Sequence, residues 1–388
     1  MSGEGRPKSK KRRLLILGIL PVALIVLALI AVGVIPGRSW FTGLFSPRAP
    51  EFTVGEFSFD VGRDRAFAHA NGSTAAVGSL GVQVFDSDGR ETLRDSFRTS
   101  KPVIIEAGGR FLAFDIDGSD VRVFNASQVL SSIETESAVV SASINQNGWF
   151  CVVTRESGSA KGSVTVYSGT GTGAYEVNMV SGYVVSAQLS PDSKNLAILN
   201  LIKTGSRITF YHGIDTTKDD ADYQFDLPDA LIIDIKYISN TNLLAISTDS
   251  LFIVDQYGNS KTLFTFSDKR LGGYTLNDEF IALHLYDYGV GYSGRLVTLR
   301  YDGTILGETE LDREIISMSS RGNLLTILRN DGLTFLNETL EELTISGDNI
   351  SAAAANRVLA LSEDAALVTS DHSAIIIMRD IEKRGEDG

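Results

Sequence analysis

Short apolar runs alternate with polar, turn-forming residues over most of this 388-residue chain. From residue 51 onwards, the apolar runs are separated by breaks rich in Asp-Gly, Asn-Gly and Ser. Apolar residues spaced to form one face of a helix are nearly absent there. The pattern therefore predicts an all-β domain of short strands joined by tight turns.

The apolar runs recur at a regular interval. A tetrad of β-forming residues, usually followed by a polar turn, begins at Val82, Val121, Val164, Ile208, Leu251, Leu296, Leu333 and Ala374. A second apolar run precedes each tetrad, from Ala75–Val77 in the first unit to Ala365–Val368 in the last. The mean spacing of about 42 residues is that of one four-stranded propeller blade. We therefore predict a β-propeller over residues 51–380. Eight blades fit best, and seven stay open because the last unit is irregular around Ser351–Arg357.

One strand stands outside this repeat. Thr53–Val61 alternates apolar and polar residues ahead of the first unit, whereas only eleven residues follow the last tetrad. The last blade therefore has little room for its own outer strand. We expect Thr53–Val61 to supply that strand, which closes the ring and protects the sheet edges.

The N-terminal region contains a different pattern. Leu14–Ile35 has 22 residues and no charge, which as a helix would extend roughly 33 Å, enough to cross a bilayer. A cleaved signal peptide is the alternative, but its apolar region would be shorter and would end at a small-x-small site. Val34–Gly37 does not provide such a site. We therefore expect residues 14–35 to be a retained single-pass transmembrane helix that contacts the lipid bilayer.

Flanking charges predict the orientation of this helix. Residues 1–13 hold six Lys and Arg against one Glu, whereas few basic residues follow the span. The positive-inside rule then places residues 1–13 in the cytoplasm as a basic tail, and the C-terminal domain outside it. Trp40, Phe41 and Phe45 are expected at the membrane interface, within a linker over residues 36–50. Residues 381–388 form a charged C-terminal tail.

Charge and composition exclude some functions. The net charge is −13 overall, and the residues after position 13 carry −18. Nucleic-acid binding needs a basic surface, so we expect no nucleic-acid partner. One cysteine rules out an intrachain disulfide framework, and the four histidines have no metal-site spacing.

Candidate binding residues lie in the loops between second and third strands. Three of these loops are expected to be long, at Arg155–Gly162, Asn200–Ser206 and Tyr286–Gly294, and all three fall on one face of the propeller. The last contains the candidate partner-binding residues Tyr286, Asp287, Tyr288 and Tyr292. Tyrosines among glycines suit recognition, because each has a flat apolar ring and a hydroxyl. A solvated hairpin extension without a ligand is the alternative.

Two acidic turns are similar to calcium-binding loops. Asp86–Gly89 and Asp115–Asp120 are rich in carboxylates, but neither has the distal Glu of the helix-loop-helix calcium site. Asp-Gly is also a common hairpin turn. We therefore predict hairpins at both positions, and no catalytic, cofactor-binding or metal-ligating residue.

Ser190–Ala197, Ser-Pro-Asp-Ser-Lys-Asn-Leu-Ala, resembles a turn and strand of WD-repeat and related bacterial propellers. The resemblance implies the fold and says little about function. Quinone-dependent dehydrogenases also have eight blades, but recurrent tryptophans join theirs, and here only Trp149 lies in the repeat region. No quinone cofactor is therefore expected. The layout also resembles a family of membrane-anchored propeller-like proteins of clostridial-type bacteria, which brings no assigned activity.

These patterns favour a noncatalytic function. We expect a membrane-anchored, extracytoplasmic binding or scaffolding module at the cell envelope, with an envelope protein or a cell-wall ligand as its partner. A propeller-type lyase or hydrolase with its site at the central channel is one alternative, and an envelope ligand sensor is another.

Overall fold

A computed structural model describes residues 55–155, 158–214, 220–287, 294–346 and 355–378. These residues form eight antiparallel sheets of four strands each. None of the described segments is a helix of sufficient length and apolarity to span a bilayer. The expected transmembrane helix at 14–35 and the interface residues Trp40, Phe41 and Phe45 lie outside the described residues, so those expectations stay predictions.

The chain begins the described region with β1 (Glu56–Ser58) and then forms four blades in sequence. Blade 1 is β2 (Ala66–Ala70), β3 (Ser73–Gly78), β4 (Gly81–Phe85) and β5 (Glu91–Asp95). Blade 2 is β6 (Pro102–Ala107), β7 (Arg110–Asp115), β8 (Asp120–Phe124) and β9 (Val129–Glu134). Blade 3 is β10 (Val139–Ile144), β11 (Phe150–Thr154), β12 (Gly162–Tyr167) and β13 (Gly173–Met179). Blade 4 is β14 (Tyr183–Leu189), β15 (Asn195–Ile202), β16 (Gly205–His212) and β17 (Tyr223–Pro228).

Four further blades complete the ring. Blade 5 is β18 (Ile232–Tyr237), β19 (Asn242–Ser247), β20 (Ser250–Asp255) and β21 (Ser260–Thr265). Blade 6 is β22 (Lys269–Leu276), β23 (Ile281–Asp287), β24 (Gly294–Leu299) and β25 (Ile305–Leu311). Blade 7 is β26 (Ser317–Arg321), β27 (Leu324–Arg329), β28 (Gly332–Asn337) and β29 (Glu342–Ser346). Blade 8 is β30 (Arg357–Ala360), β31 (Ala365–Thr369) and β32 (Ser373–Met378), with β1 as its fourth strand.

The strand order gives the propeller two distinct faces. The first strands of neighbouring blades contact one another, so they are innermost and surround the central channel. Each described first strand ends at the face that carries the first-to-second and third-to-fourth loops, which we call the lower face. The opposite, upper face carries the second-to-third loops and the connections between blades. Residue 55 lies toward the lower face, since β1 runs antiparallel to β32.

Pairing of β1 with β32 closes the ring. Phe57 is opposite Ala374 in this pair, and the Phe59 backbone N–H donates to the His372 carbonyl at 3.2 Å. Phe59 then packs edge-to-face on Phe67 of blade 1, with ring centroids 5.1 Å apart. The predicted closure is confirmed, and so is the count of eight blades.

The hydrophobic core lies between the blades. The second strands are almost completely buried on both surfaces, as in β15, where Leu196 through Leu199 are each 0% exposed. Apolar clusters then join side chains of neighbouring blades, such as Val166 of blade 3 with Leu189 and Ile198 of blade 4. The second and third strands predicted from the repeat are the second and third strands of the blades.

The segment similar to WD repeats forms the tight turn between β14 and β15. The Ser190 hydroxyl donates to the Asp192 carboxylate at 2.6 Å and accepts from the Asn195 backbone N–H at 3.0 Å. Ser193 has a positive φ of 63°. A short polar side chain at Ser190 therefore organises the turn by bonding the local backbone.

Serine side chains connect adjacent innermost strands. Ser141 and Ser143 of β10 donate to the carbonyls of Val185 and Ala187 in β14, at 2.9 and 2.8 Å. In blade 7, Ser319 accepts from the Ala360 backbone N–H at 3.0 Å. Backbone groups on the channel side of these strands would otherwise need water. Polar inter-blade bonds therefore connect blades near the axis, inside the apolar layer.

Removal of the closing aromatic contact should weaken the whole ring. Phe59 is 4% exposed, and Phe59→Ala should lower the free energy of unfolding by about 3 kcal/mol through lost burial and a cavity. Urea denaturation measures this change. Ile305→Ala is the matched control, because Ile305 is 48% exposed and truncation there should cost less than about 1 kcal/mol. Equal losses in both variants would contradict the proposed importance of the closure.

Candidate site at the lower end of the central channel

A cavity of about 350 Å³ opens at the lower end of the channel. Six of the eight innermost strands contribute residues at their last positions, which are Glu106, Ala107, Ile144, Gln188, Leu189, Lys236, Tyr237, Leu276, Ser320 and Arg321. Since all six strands end at this face, residues far apart in the sequence converge there. The volume is near the lower limit of typical ligand pockets, so the cavity suits a small ligand.

Arg321 extends from blade 7 past blade 8 toward blades 1 and 2. Its Nη2 donates to the His69 carbonyl of blade 1 at 2.8 Å and lies 3.7 Å from Oε1 of Glu106 in blade 2. Blade 8 lies between these blades in the ring, and its innermost strand β30 has only four residues. Arg321 therefore links blades on both sides of blade 8, within the cavity.

Further charged groups surround this pair. The Glu106 side chain is 36% exposed. Burial raises the pKa of Glu106, while the positive charges of Arg321 and Lys236 act in the opposite direction. Asp278 of blade 6 also raises the pKa of Glu106 through charge repulsion. Glu279, next to Asp278, also lines the cavity, which therefore combines two cationic groups with three carboxylates from four different blades.

Fixed amide groups form much of the remaining wall. The Asn145 side chain donates to the Ser190 carbonyl at 2.8 Å and to the Ser193 hydroxyl at 2.7 Å. Asn277 donates to the Gly322 carbonyl at 3.0 Å. These bonds connect neighbouring blades, so the wall is held in place without a ligand.

His69 is buried and is not among the residues that line the cavity. It is 4% exposed, and its Nδ1 is 3.0 Å from the Thr74 hydroxyl. Burial, together with the positive charge of Arg321, lowers the pKa of His69 to about 3. The ring is therefore neutral at physiological pH. The backbone carbonyl of His69 accepts the hydrogen bond from Arg321.

The upper face has a different chemical character. Five exposed apolar side chains lie at the upper ends of blades 3 to 5, which are Val180 at 73%, Tyr183 at 57%, Leu231 at 48%, Ile233 at 44% and Leu201 at 36% exposure. We call these five residues the apolar patch. Tyr183 is opposite Leu201 in the β14–β15 pair, and the Asp229 backbone N–H donates to the Thr204 carbonyl at 2.7 Å. That bond holds the connection to blade 5 against the tip of the blade 4 hairpin.

The candidate tyrosine loop is described only at its first two residues. Tyr286 packs on His284, with ring centroids 4.1 Å apart, and the Arg270 guanidinium is 5.9 Å from its centroid. Asp287 forms an ion pair with Lys269. Tyr286 and Asp287 thus contact their own blade, whereas Tyr288 and Tyr292 lie outside the described residues. Their role in binding stays a prediction.

The structure corrects one expected loop. Asn200–Ser206 is a continuation of β15 and β16 around the two-residue turn Lys203–Thr204. The expected long loop there was wrong, because the strands pair up to Ile202 and Gly205. Arg155–Gly162 does separate β11 from β12 as a longer connection.

The acidic turns are hairpins whose carboxylates are already bonded. Asp86 accepts from the backbone N–H groups of Asp88 and Arg90, at 3.0 and 2.9 Å. Asp115 accepts from the Lys101 backbone N–H at 2.6 Å, and Asp117 pairs with the Lys101 ammonium at 2.6 Å. Among the described residues, no group of three or more His, Cys, Asp or Glu is arranged to hold a metal ion.

Sequence reasoning did not find the channel cluster. Glu106, Lys236, Asp278 and Arg321 lie far apart in the sequence, in four different repeats, and no motif connects them. Their common feature is a place at or just after the end of a first strand. That signal is readable in the sequence once the blades are aligned by strand.

Comparisons with known proteins agree on the fold. BamB from Moraxella catarrhalis is similar over 84% of this chain and 98% of its own, with a TM-score of 0.53 and 14% identity. The C-terminal WD40 domain of Sif2 is similar over 83% of this chain and 98% of its own, with a TM-score of 0.59 and 12% identity. At such low identity the likeness shows the fold alone. Among curated proteins, none matches the sequence. A family model described as "Family of unknown function (DUF5711)" matches residues 59–339.

The lowered pKa of His69 predicts a pH-dependent stability. Unfolding restores the ordinary pKa of His69. Between about pH 6.5 and about pH 3, His69 is therefore protonated in the unfolded chain and neutral in the folded chain. Stability should therefore fall with decreasing pH across this window, by up to about 1.4 kcal/mol per pH unit from this residue. Urea titrations between pH 7 and 4 should show a shallower fall for His69→Gln. Ile305→Ala, which removes no titratable group, should keep the wild-type slope. An unchanged slope in His69→Gln would refute this assignment.

Proposed function

The chain belongs to DUF5711, a family of unknown function, and we propose that it is a membrane-anchored, noncatalytic binding module at the cell envelope. Its propeller acts as a rigid support for a protein partner that docks on the upper face. The partner contacts the apolar patch, and Tyr288 and Tyr292, in the segment between β23 and β24, are proposed to contribute to the same contact.

The apolar patch is the observation that carries this proposal. Isolated exposed apolar residues are normal on protein surfaces, whereas grouped ones mark interaction sites. Here five large apolar side chains lie at one end of three adjacent blades. Near them the Lys161 ammonium lies 5.4 Å from the centroid of the Tyr183 ring. An apolar centre with charged residues at its margin is the usual arrangement of a protein interface.

Rigid support favours recognition by this surface. Ile233 is the extra residue of a β-bulge between Ile232 and Asp234, and such bulges redirect a side chain at the end of a strand. Tyr183 and Leu201 are held by strand pairing on both sides of one hairpin. A partner therefore meets side chains that lose little freedom on binding, which lowers the entropic cost of association.

The sequence supports the proposed location. Leu14–Ile35 is uncharged and long enough to cross a bilayer, and its basic flank precedes it. The acidic propeller would then lie outside the cytoplasm, where its field favours partners with basic surfaces. Residue 55, at the start of the described chain, lies toward the lower face, opposite the apolar patch.

Photo-crosslinking in the native membrane tests the docking face. A photoreactive amino acid at position 201 or 288 should give a discrete adduct with one protein, identified by mass spectrometry. The same probe at Tyr257, which is 54% exposed in a lower-face turn, should give none. Val180→Asp should lower the adduct at position 201 about tenfold, because an unpaired carboxylate would enter the contact.

A matched substitution keeps this test specific. Ile305→Asp adds the same charge at an exposed apolar residue of the outer strand β25 and should leave the adduct unchanged. Equal adducts at positions 201 and 257, or an adduct insensitive to Val180→Asp in folded protein, would contradict docking at the apolar patch.

Membrane fractionation tests the anchor separately. The full chain of 41.9 kDa should stay with the membrane after carbonate extraction, because exposure of the apolar span to water is unfavourable. Its intact mass should include residues 1–35. A variant with Leu24 and Leu27 both replaced by Arg should be released, since charges at the bilayer centre are costly. Recovery of a shortened, extractable chain from wild type would show cleavage and refute the anchor.

A further inference from the structure

The lower-end cavity has unused bonding capacity for a ligand. Lys236 lies on β18 at the cavity, and its ammonium has no hydrogen bond or ion pair with any of the described residues. An ammonium group can donate three hydrogen bonds. Its position in the channel wall, away from the outer surface, therefore places an unused cation beside the cavity.

Arg321 also has guanidinium N–H donors beyond the one that binds the His69 carbonyl. Its guanidinium donates to the His69 carbonyl at 2.8 Å, while the 3.7 Å separation from Glu106 is too long for a hydrogen bond. A guanidinium has five N–H donors. Lys236 and Arg321 both line the cavity with donors available, and a carboxylate is the group that matches their charge.

Three carboxylates line the same cavity as these cations. Glu106 touches only Arg321 at 3.7 Å among the described ion pairs. Asp278 and Glu279 line the cavity from blade 6, and within the described part of the chain neither carboxylate has an ion pair. Carboxylates accept hydrogen bonds, so these residues are suited to an ammonium group, and Glu106 and Asp278 come from two different blades.

The mixed charge selects among ligand classes. A purely anionic ligand would satisfy Lys236 and Arg321 but would leave Glu106 and Asp278 facing negative charge. A purely cationic ligand would do the reverse, so either ligand would place like charges next to one another. A ligand with one carboxylate and one ammonium can satisfy both pairs. The small volume excludes a long polymer from the cavity itself.

We propose that the lower end of the channel binds a small zwitterion, either a free amino acid or a short peptide with both termini free. Lys236 and Arg321 hold its carboxylate, while Glu106 and Asp278 hold its ammonium group. The amides of Asn145 and Asn277, fixed by inter-blade bonds, shape the wall around it. This site lies on the opposite face from the apolar patch, so either can fail without deciding the other.

Calorimetric titration of the folded chain tests the ligand class. The probes are L-alanine and L-alanyl-L-alanine, each also in its N-acetylated and C-amidated form. At least one free zwitterion should bind, and blocking either end should weaken it at least about tenfold, since one charge-assisted contact is lost. Comparison of the two free probes distinguishes an amino-acid site from a peptide site. The proposal is overturned if neither free probe binds or if the blocked forms bind equally well.

Two variants assign the ends of the ligand. Lys236→Gln should weaken the free probe and reduce its preference over the amidated form. Glu106→Gln should instead reduce the preference over the N-acetylated form. The matched controls Lys203→Gln and Glu136→Gln change exposed residues at upper-face connections and should bind like wild type. Circular dichroism confirms that each variant is folded. Loss of affinity in the controls, or unchanged preferences in both channel variants, would refute the assignment.

Discussion

Pairing of β1 with β32 is the constraint on which the architecture depends. A ring of blades closes only when the first and last strands of the propeller pair with each other. An open ring would leave strand edges exposed. Here a three-residue strand from before the first blade completes the eighth blade. Phe57 and Phe59 then pack on Phe85 and Phe67 of blade 1. Closure is therefore both a hydrogen-bonded and an apolar contact.

A closed ring fixes the chemistry of its two ends. Every described innermost strand runs toward the lower face, so the residues at these strand ends meet around one axis. Charged and amide side chains dominate there, whereas the apolar patch lies on the upper face of blades 3 to 5. The four-stranded blades connect the two surfaces, and their second strands are buried. Such a framework holds binding residues in place and leaves them free to differ between blades.

The limits of the sequence can be seen at particular residues. The tetrads and their preceding runs located the second and third strands, because buried strands read as short apolar runs. The Asn200–Ser206 segment read as a loop because Lys203, Thr204 and Gly205 are turn-formers. Pairing through Ile202 and Gly205 instead extended the hairpin. The sequence also did not predict that Leu231 and Ile233 are exposed, because apolar residues in or next to a strand are usually buried.

The sequence alone determined the fold class, the second and third strands of the blades and the separate strand that closes the ring, because period and alternation depend on neighbours along the chain. It also provided the apolar span at 14–35, whose length and lack of charge are local properties. Only the tertiary structure decided which side chains share a site. Glu106 and Arg321 are separated by 215 positions in the sequence and meet at 3.7 Å. That meeting depends on how the blades are placed around the channel, which no local pattern encodes.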